Sequence, residues 1–194
     1  MSFYPAAIDK RFCATKRARN LSDANASGRS ANFDCGSFIA FELSIDTVSK
    51  MIMSARFKTN GCGYMVAAAD VFVETLVGKC LTELHGLNRD ELYNEVTRGL
   101  GELAPDRVNC GSACINALRE AFADYRKRQI GEFSGEKALI CTCFGISEET
   151  IENLIRKRSI LSIEELGEIC NAGRGCGSCR MLIQEMLDAG VEIE

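Results

Sequence analysis

The first regular pattern along the chain is a two-residue alternation. Phe38-Ile-Ala-Phe-Glu-Leu-Ser-Ile45 and Met51-Ile-Met-Ser-Ala-Arg-Phe-Lys58 are rich in β-formers and alternate enough to predict two antiparallel strands, with Asp46–Lys50 as the turn. The period then lengthens. Tyr64–Val77 has helical length and stops at Gly78, and the apolar positions Leu84, Leu87, Leu92, Val96 and Leu100 fit one or two short helices. Pro105 interrupts helical structure in Leu103–Val108, because proline lacks a donor and restricts the residue before it. From Ser112, the positions Cys114, Ile115, Leu118, Ala121, Phe122 and Tyr125 recur every 3.6 residues and predict a helix to about Arg128. Ahead of the strands, residues 1–20 are basic and mildly amphipathic, and the small, polar run Ser22–Ala31 reads as loop.

The pattern lapses between Gln129 and Lys137, where Gly131, Ser134 and Gly135 sit among charges, as in a linker. The chain thus divides into a domain at 1–130, a linker at 131–137 and a second domain at 138–194. In the second, Ser147 can cap a helix to about Arg158 and Ser162-Ile-Glu-Glu165 can open another ending near Asn171-Ala-Gly173. A third should span about Cys179 to Asp188. The fold class is α+β: a small antiparallel sheet packed with helices, followed by a small all-α unit of a size that often needs a metal staple.

Composition narrows the functions. A net charge of −4 argues against a nucleic-acid partner, whose phosphates call for a clustered basic face. The longest apolar stretch, Tyr64–Val73, is broken by Asp70 well short of a membrane span, and no basic region followed by a long apolar one opens the chain. A cytoplasmic location follows as the expectation. Eleven cysteines cannot all pair, and disulfides do not persist in a reducing compartment, so close cysteine spacings point to metal or redox sites.

Four cysteines form the pattern Cys141-x-Cys143, thirty-two intervening residues, Cys176-x-x-Cys179, flanked by Gly173, Gly175 and Gly177. Four soft thiolates from two loops are the ligand set of a [2Fe–2S] core, each iron taking two protein sulfurs, and glycines let backbone N–H groups approach the sulfurs. Tetrahedral zinc is the alternative that spacing leaves open. Three further cysteines, Cys35, Cys62 and Cys110, lie far apart upstream. Cys62 falls between a strand and a helix, and Cys110 at a helix N-terminus, where the dipole favours thiolate.

Leu139-Ile-Cys141-Thr-Cys143-Phe-Gly with Gly173-Arg-Gly-Cys176-Gly-Ser-Cys179 resembles the bacterioferritin-associated-ferredoxin-like (BFD-like) [2Fe–2S] domain in the middle of NifU proteins. Asp34-Cys35-Gly36, Phe57-Lys-Thr-Asn-Gly61-Cys62-Gly63 and Leu103-Ala-Pro105-Asp-Arg-Val-Asn-Cys110 resemble, in order, the three cysteine motifs of the IscU/NifU N-terminal scaffold domain. The resemblance implies a non-enzymatic iron–sulfur cluster assembly scaffold. Cys35, Cys62 and Cys110 would host a transient cluster or iron, and Cys141, Cys143, Cys176 and Cys179 a permanent [2Fe–2S] cluster. The implied partners are a cysteine desulfurase supplying sulfur, apo iron–sulfur proteins accepting clusters, and a second copy in a homodimer. Leu103–Val108 resembles the segment that Hsp70-type chaperones recognise, with Ala104 for the first proline and Arg107 for the usual lysine.

This chain departs from the pattern at the fourth ligand. Ser37 stands where IscU-type proteins have aspartate, and Asn109 where they have histidine. Cys114, one helical turn after Cys110, is a candidate replacement, and a buried apolar role is its alternative. Cys13 could also approach that site. Cys80 and Cys170 fall in helical patterns as core or surface residues, and His85, the single histidine, as a surface residue. A second reading makes the chain an electron-transfer protein whose scaffold domain has lost its assembly role.

Overall fold

The computed structural model describes residues 3–84 and 88–191, so the expectation for His85 lies outside the described residues. The chain divides into two compact units, Met1–Cys80 with Leu87–Tyr125, and Leu81–Gly86 with Arg126–Glu194.

The first unit is built on a three-stranded antiparallel sheet in the order β1 (Ala26–Asn32), β2 (Ser37–Ile45), β3 (Ile52–Thr59). The expected hairpin is β2–β3. Asp46 shapes its turn, accepting hydrogen bonds from the backbone of Val48 and Ser49 and from the Ser49 hydroxyl. One face of the sheet is buried: Ile39, Phe41, Leu43, Ile45, Ile52, Ala55 and Phe57 are all at most 2% exposed. Helix α2 (Gly63–Leu76), as placed by the sequence, is buried almost all round, lying against β3, α1 (Ala6–Ala14) and α3 (Arg89–Leu100).

Strand β1 corrects the expectation of a loop over Ser22–Ala31. Its residues are small because α4 (Val108–Glu132) runs directly across it. A Cβ on Gly28 would lie 2.1 Å from the Ala121 nitrogen and 2.2 Å from the Ala117 carbonyl oxygen. Small size here marks a close backbone approach, not a turn. Helix α4 begins earlier and ends later than the stripe from Ser112 to Arg128 suggests, so its last turns pass through the first residues of the expected linker.

One polar cluster ties the N-terminal segment to this core. Asp70, in the middle of α2 and 3% exposed, accepts from Arg11 at 2.8 Å, from Arg17 at 2.9 Å and from the Thr15 hydroxyl. The Arg17 carbonyl then receives the Phe57 N–H of β3. Burial works against ionisation of Asp70, yet these donors outweigh it and hold the carboxyl below its ordinary value.

The second unit is helical, with a short ladder, β4 (Leu139–Cys141) and β5 (Ile146–Ser147), that the cap signals do not reveal. Ser147 caps α5 (Glu148–Arg158) by accepting from the Thr150 N–H, and Ser162 caps α6 (Ile163–Cys170) by accepting from the Glu165 N–H. Asn171 ends α6 in the left-handed conformation. Helix α7 (Arg180–Val191) follows the last cysteine loop, and Ile151, Ile160, Leu166, Ala172, Ile183 and Leu187 form the core.

Candidate functional site

In the second unit the four cysteines of the paired motif come together. Cys141 ends β4, Cys143 lies in the turn before β5, and Cys176 and Cys179 occupy the loop between α6 and α7. The thiols associate in two pairs, Cys141 with Cys179 and Cys143 with Cys176, each within hydrogen-bonding contact. The Cys179 thiol donates to Cys141, which holds the Cys141 thiol below its ordinary value despite burial. Backbone N–H groups of Gly173, Phe144 and Cys143 add to that effect, and Cys179 is driven upward in return. Burial pushes Cys143 up to about 12, opposed by the Cys176 N–H at 3.4 Å from its Sγ. Burial also works against Cys176, but the Ser178 hydroxyl at 3.2 Å, the pairing with Cys143 and the nearby Arg126 together bring it below its ordinary value.

Gly175 is what lets the two loops meet. A Cβ there would fall 2.6 Å from the Cys143 Cβ and 2.8 Å from its Sγ. Among the described residues no three His, Cys, Asp or Glu side chains are gathered as one metal ion would need. Two pairs of thiols with backbone donors aimed at the sulfurs suit a two-iron core, in which each iron takes two protein sulfurs, better than one tetrahedral zinc.

In the first unit Cys35, Cys62 and Cys110 converge from three elements: the β1–β2 turn, the residue that caps α2, and the first turn of α4. Burial and then contact with Cys62 and the nearness of Cys35 raise the Cys110 pKa, while Arg107 opposes them. Cys35 is exposed, and its Sγ lies 3.0 Å from the Ser37 hydroxyl, whose hydrogen bond holds the thiol below its ordinary value. Arg107 lies in the 3₁₀ turn Pro105–Arg107, with its guanidinium 5.4 Å from the Tyr64 ring centroid, so the segment likened to a chaperone-recognition motif borders the thiols.

The remaining cysteines lie outside the two groups, although Cys110 bears on Cys114 and Cys141 on Cys170. Cys114 is fully enclosed, its Sγ 4.0 Å from the Met65 carbonyl oxygen, and burial drives its thiol strongly upward. Cys13 is exposed on α1 with its Sγ 3.9 Å from Asp9. Cys80 is not helical but forms a bridge with Met51, a correction to its sequence-based placement; Cys170 ends α6 and donates to the Leu166 carbonyl. Sequence reasoning missed Asp34, whose Oδ2 accepts from Asn109 Nδ2 at 3.0 Å and so links the residue before Cys35 to the residue before Cys110. Its position beside the first cysteine was the available signal.

The model of the NifU-like N-terminal domain matches residues 4–132. The chain belongs to the NifU-like family. Residues 139–189 of this NifU-like chain match the BFD-like [2Fe-2S] binding domain. It is 28% identical over 189 residues to the nitrogen fixation protein NifU of Azospirillum brasilense, covering 96% of this chain and 59% of that protein. It is 29% identical over 154 residues to the iron-sulfur cluster assembly scaffold protein IscU of Aquifex aeolicus, covering 79% of this chain and 94% of that one. The N-terminal part of a NifU-like protein from Brucella abortus shares the fold at a TM-score of 0.53 and 15% identity, covering 64% of this chain and 95% of that structure. The NifU-like chain therefore spans little more than half the length of the NifU relative, and no helix among its described residues is long and apolar enough to cross a membrane.

Proposed function

We propose that this chain is an iron–sulfur cluster assembly scaffold and carrier, with no turnover chemistry of its own. The observation that carries this reading is the convergence of Cys35, Cys62 and Cys110 from three separate elements, with Cys35 exposed to an incoming donor. Thiolates hold iron and sulfide well, and a site open on one side lets a finished cluster leave. Cys141, Cys143, Cys176 and Cys179 hold a resident [2Fe–2S] centre, which supplies one-electron redox chemistry when bound. In that arrangement 4–132 acts as the scaffold domain, 139–189 as the redox domain, and the short stretch between them as the linker.

A cysteine desulfurase is the sulfur donor in this reading, apo iron–sulfur proteins are the acceptors, and the cytoplasm is the place of work. The bordering Arg107 segment is the surface a chaperone of the Hsp70 type would meet. The test is reconstitution of this chain with a desulfurase, cysteine, ferrous iron and a thiol reductant without oxygen, followed by addition of an apo-ferredoxin. Cluster should form beyond the resident centre and move to the acceptor, and Cys35→Ser should abolish the transfer. Retention of the resident centre with no transferable cluster would leave electron transfer as the function.

A further inference from the structure

The four cysteines of the second unit are not equally sheltered. Cys141, Cys143 and Cys179 are at most 7% exposed, whereas Cys176 stands at the surface of the loop between α6 and α7. Its N–H lies 3.4 Å from the Cys143 Sγ, so the open residue is fixed to the enclosed one beside it. The last turns of α4, which belong to the second unit, come up against the same place. Gln129 Oε1 lies 3.7 Å from where a Cβ on Gly145 would stand, in the turn that follows Cys143. Arg126 is three residues earlier and so on the same helix face, and its charge bears on the Cys176 sulfur. Arg174 flanks Cys176 from within the loop, exposed, with the Cγ of its stem 3.0 Å from where a Cβ on Gly167 of α6 would stand. Arg11, Arg17, Arg98, Arg107 and Arg180 each have a carboxylate partner, and among the described residues neither Arg126 nor Arg174 has one.

We propose that the Cys176 edge of the C-terminal site is a docking face for an acidic one-electron carrier protein, with Arg126 and Arg174 as its contacts. Electron transfer needs close approach, and the exposed cysteine is where a partner comes nearest to the site. One electron leaves the carrier's reduced group and is taken up by the resident [2Fe–2S] centre, and no bond forms or breaks. The chain carries a net charge of −4, so an acidic partner is repelled by the molecule as a whole, and a local cluster of cations sets which face it meets. A guanidinium without an internal partner can take a carboxylate on two parallel hydrogen bonds, which fixes orientation as well as nearness. Charges at the rim of such a contact act mainly on the rate of association and on its salt dependence.

The inference rests on the reading of Cys141, Cys143, Cys176 and Cys179 as the holders of a resident [2Fe–2S] centre, and the test separates the two. This chain, loaded with that centre, is mixed anaerobically with reduced flavodoxin, a small acidic one-electron carrier, and the bleaching of its visible absorption is followed in time. Reduction by a neutral viologen, which needs no docking face, is measured alongside. From about 0.01 M to about 1 M salt, where the screening length falls from about 30 Å to about 3 Å, the parent's rate constant with flavodoxin should fall by about tenfold or more. Arg126→Gln combined with Arg174→Gln should lower the flavodoxin rate relative to the viologen rate by a similar factor at low salt, and the two proteins should converge at high salt. Arg126→Lys, which keeps the charge, should keep the parent's salt dependence. If the double variant matches the parent with flavodoxin at every salt concentration while viologen reduces both, this face is not the docking site and the resident centre stands. If flavodoxin and viologen are slowed in the same ratio, the arginines act on the centre and not on a partner, and the proposal falls. If the loaded parent shows no reducible absorption, the reading of the four cysteines falls, and the docking face with it.

Discussion

The two thiol groups of this chain are supported in different ways. Around the C-terminal four, main-chain N–H groups reach the sulfurs: Gly173, Phe144 and Cys143 toward Cys141, and Cys176 toward Cys143 at 3.4 Å. Around the N-terminal three, a single main-chain N–H among the described residues, that of Ser37, reaches a sulfur, and the rest of the support is the Ser37 hydroxyl and the Arg107 guanidinium, with Cys35 itself exposed. Main-chain donors are fixed by the fold and are not reorganised when a cluster leaves, whereas hydroxyl and guanidinium groups turn about single bonds. The first arrangement suits retention and the second suits exchange.

The strongest way to break this contrast is to remove one sulfur from each group. Cys141→Ser deletes the thiolate that takes the Cys179 bond and the backbone donors, so the resident visible absorption should be lost and the second unit should melt earlier, while the first unit melts as before. Such a unit has few ways to replace a lost staple; a ligand present at a thousandfold its dissociation constant contributes about 4 kcal/mol. Cys35→Ser should leave that absorption intact and abolish only the transferable cluster. Calorimetry and visible spectra of the two variants check this, and equal loss from both would mean that the groups are not distinct.

A finer cut uses the close approach in the loop before α7. Gly175→Ala puts a methyl 2.6 Å from the Cys143 Cβ, and since backbone and not a flexible chain end must give way, the cost should be about 3 kcal/mol, at the upper part of the range for overpacking. Lower occupancy of the resident centre should accompany it. Gly36→Ala beside Cys35 meets nothing within 4 Å and should cost only about 1 kcal/mol, for its positive φ of 67°. Metal content per chain after identical reconstitution, with chemical denaturation, decides whether the backbone cradle matters at one site and not the other.

The sequence made the two sites unequally legible for a related reason. The hairpin, the helix after Cys62, the Ser147 and Ser162 caps and the cysteine pairs are local signals, each written within a few adjacent residues. Strand β1 was not readable, because Ala26–Asn32 carries no apolar alternation; only the passage of α4 at Ala117 and Ala121 explains its small side chains. The Asp34–Asn109 link spans 75 positions and has no periodic signature. Spacing exposed the C-terminal group as a unit, whereas the N-terminal one was visible only through its resemblance to known motifs.

A last expected effect concerns the polar cluster that ties the N-terminal segment to the first unit. Asp70→Asn keeps the shape of the side chain but removes the charge that Arg11 and Arg17 share. Those arginines are 24% and 37% exposed, so the loss should be about 1–2 kcal/mol, between the values for surface and buried pairs. The Asp70 carboxyl is held below its unfolded value of 3.8, so its contribution is fully present above that pH and fades as pH falls through the lower folded value. Stability of the parent should therefore decline below about pH 4 more steeply than that of Asp70→Asn, and the two curves should converge in acid. The C-terminal absorption, which depends on no carboxylate, should keep the same ratio between the two proteins across that range. Parallel curves would show instead that Asp70 is held by packing rather than by its charge.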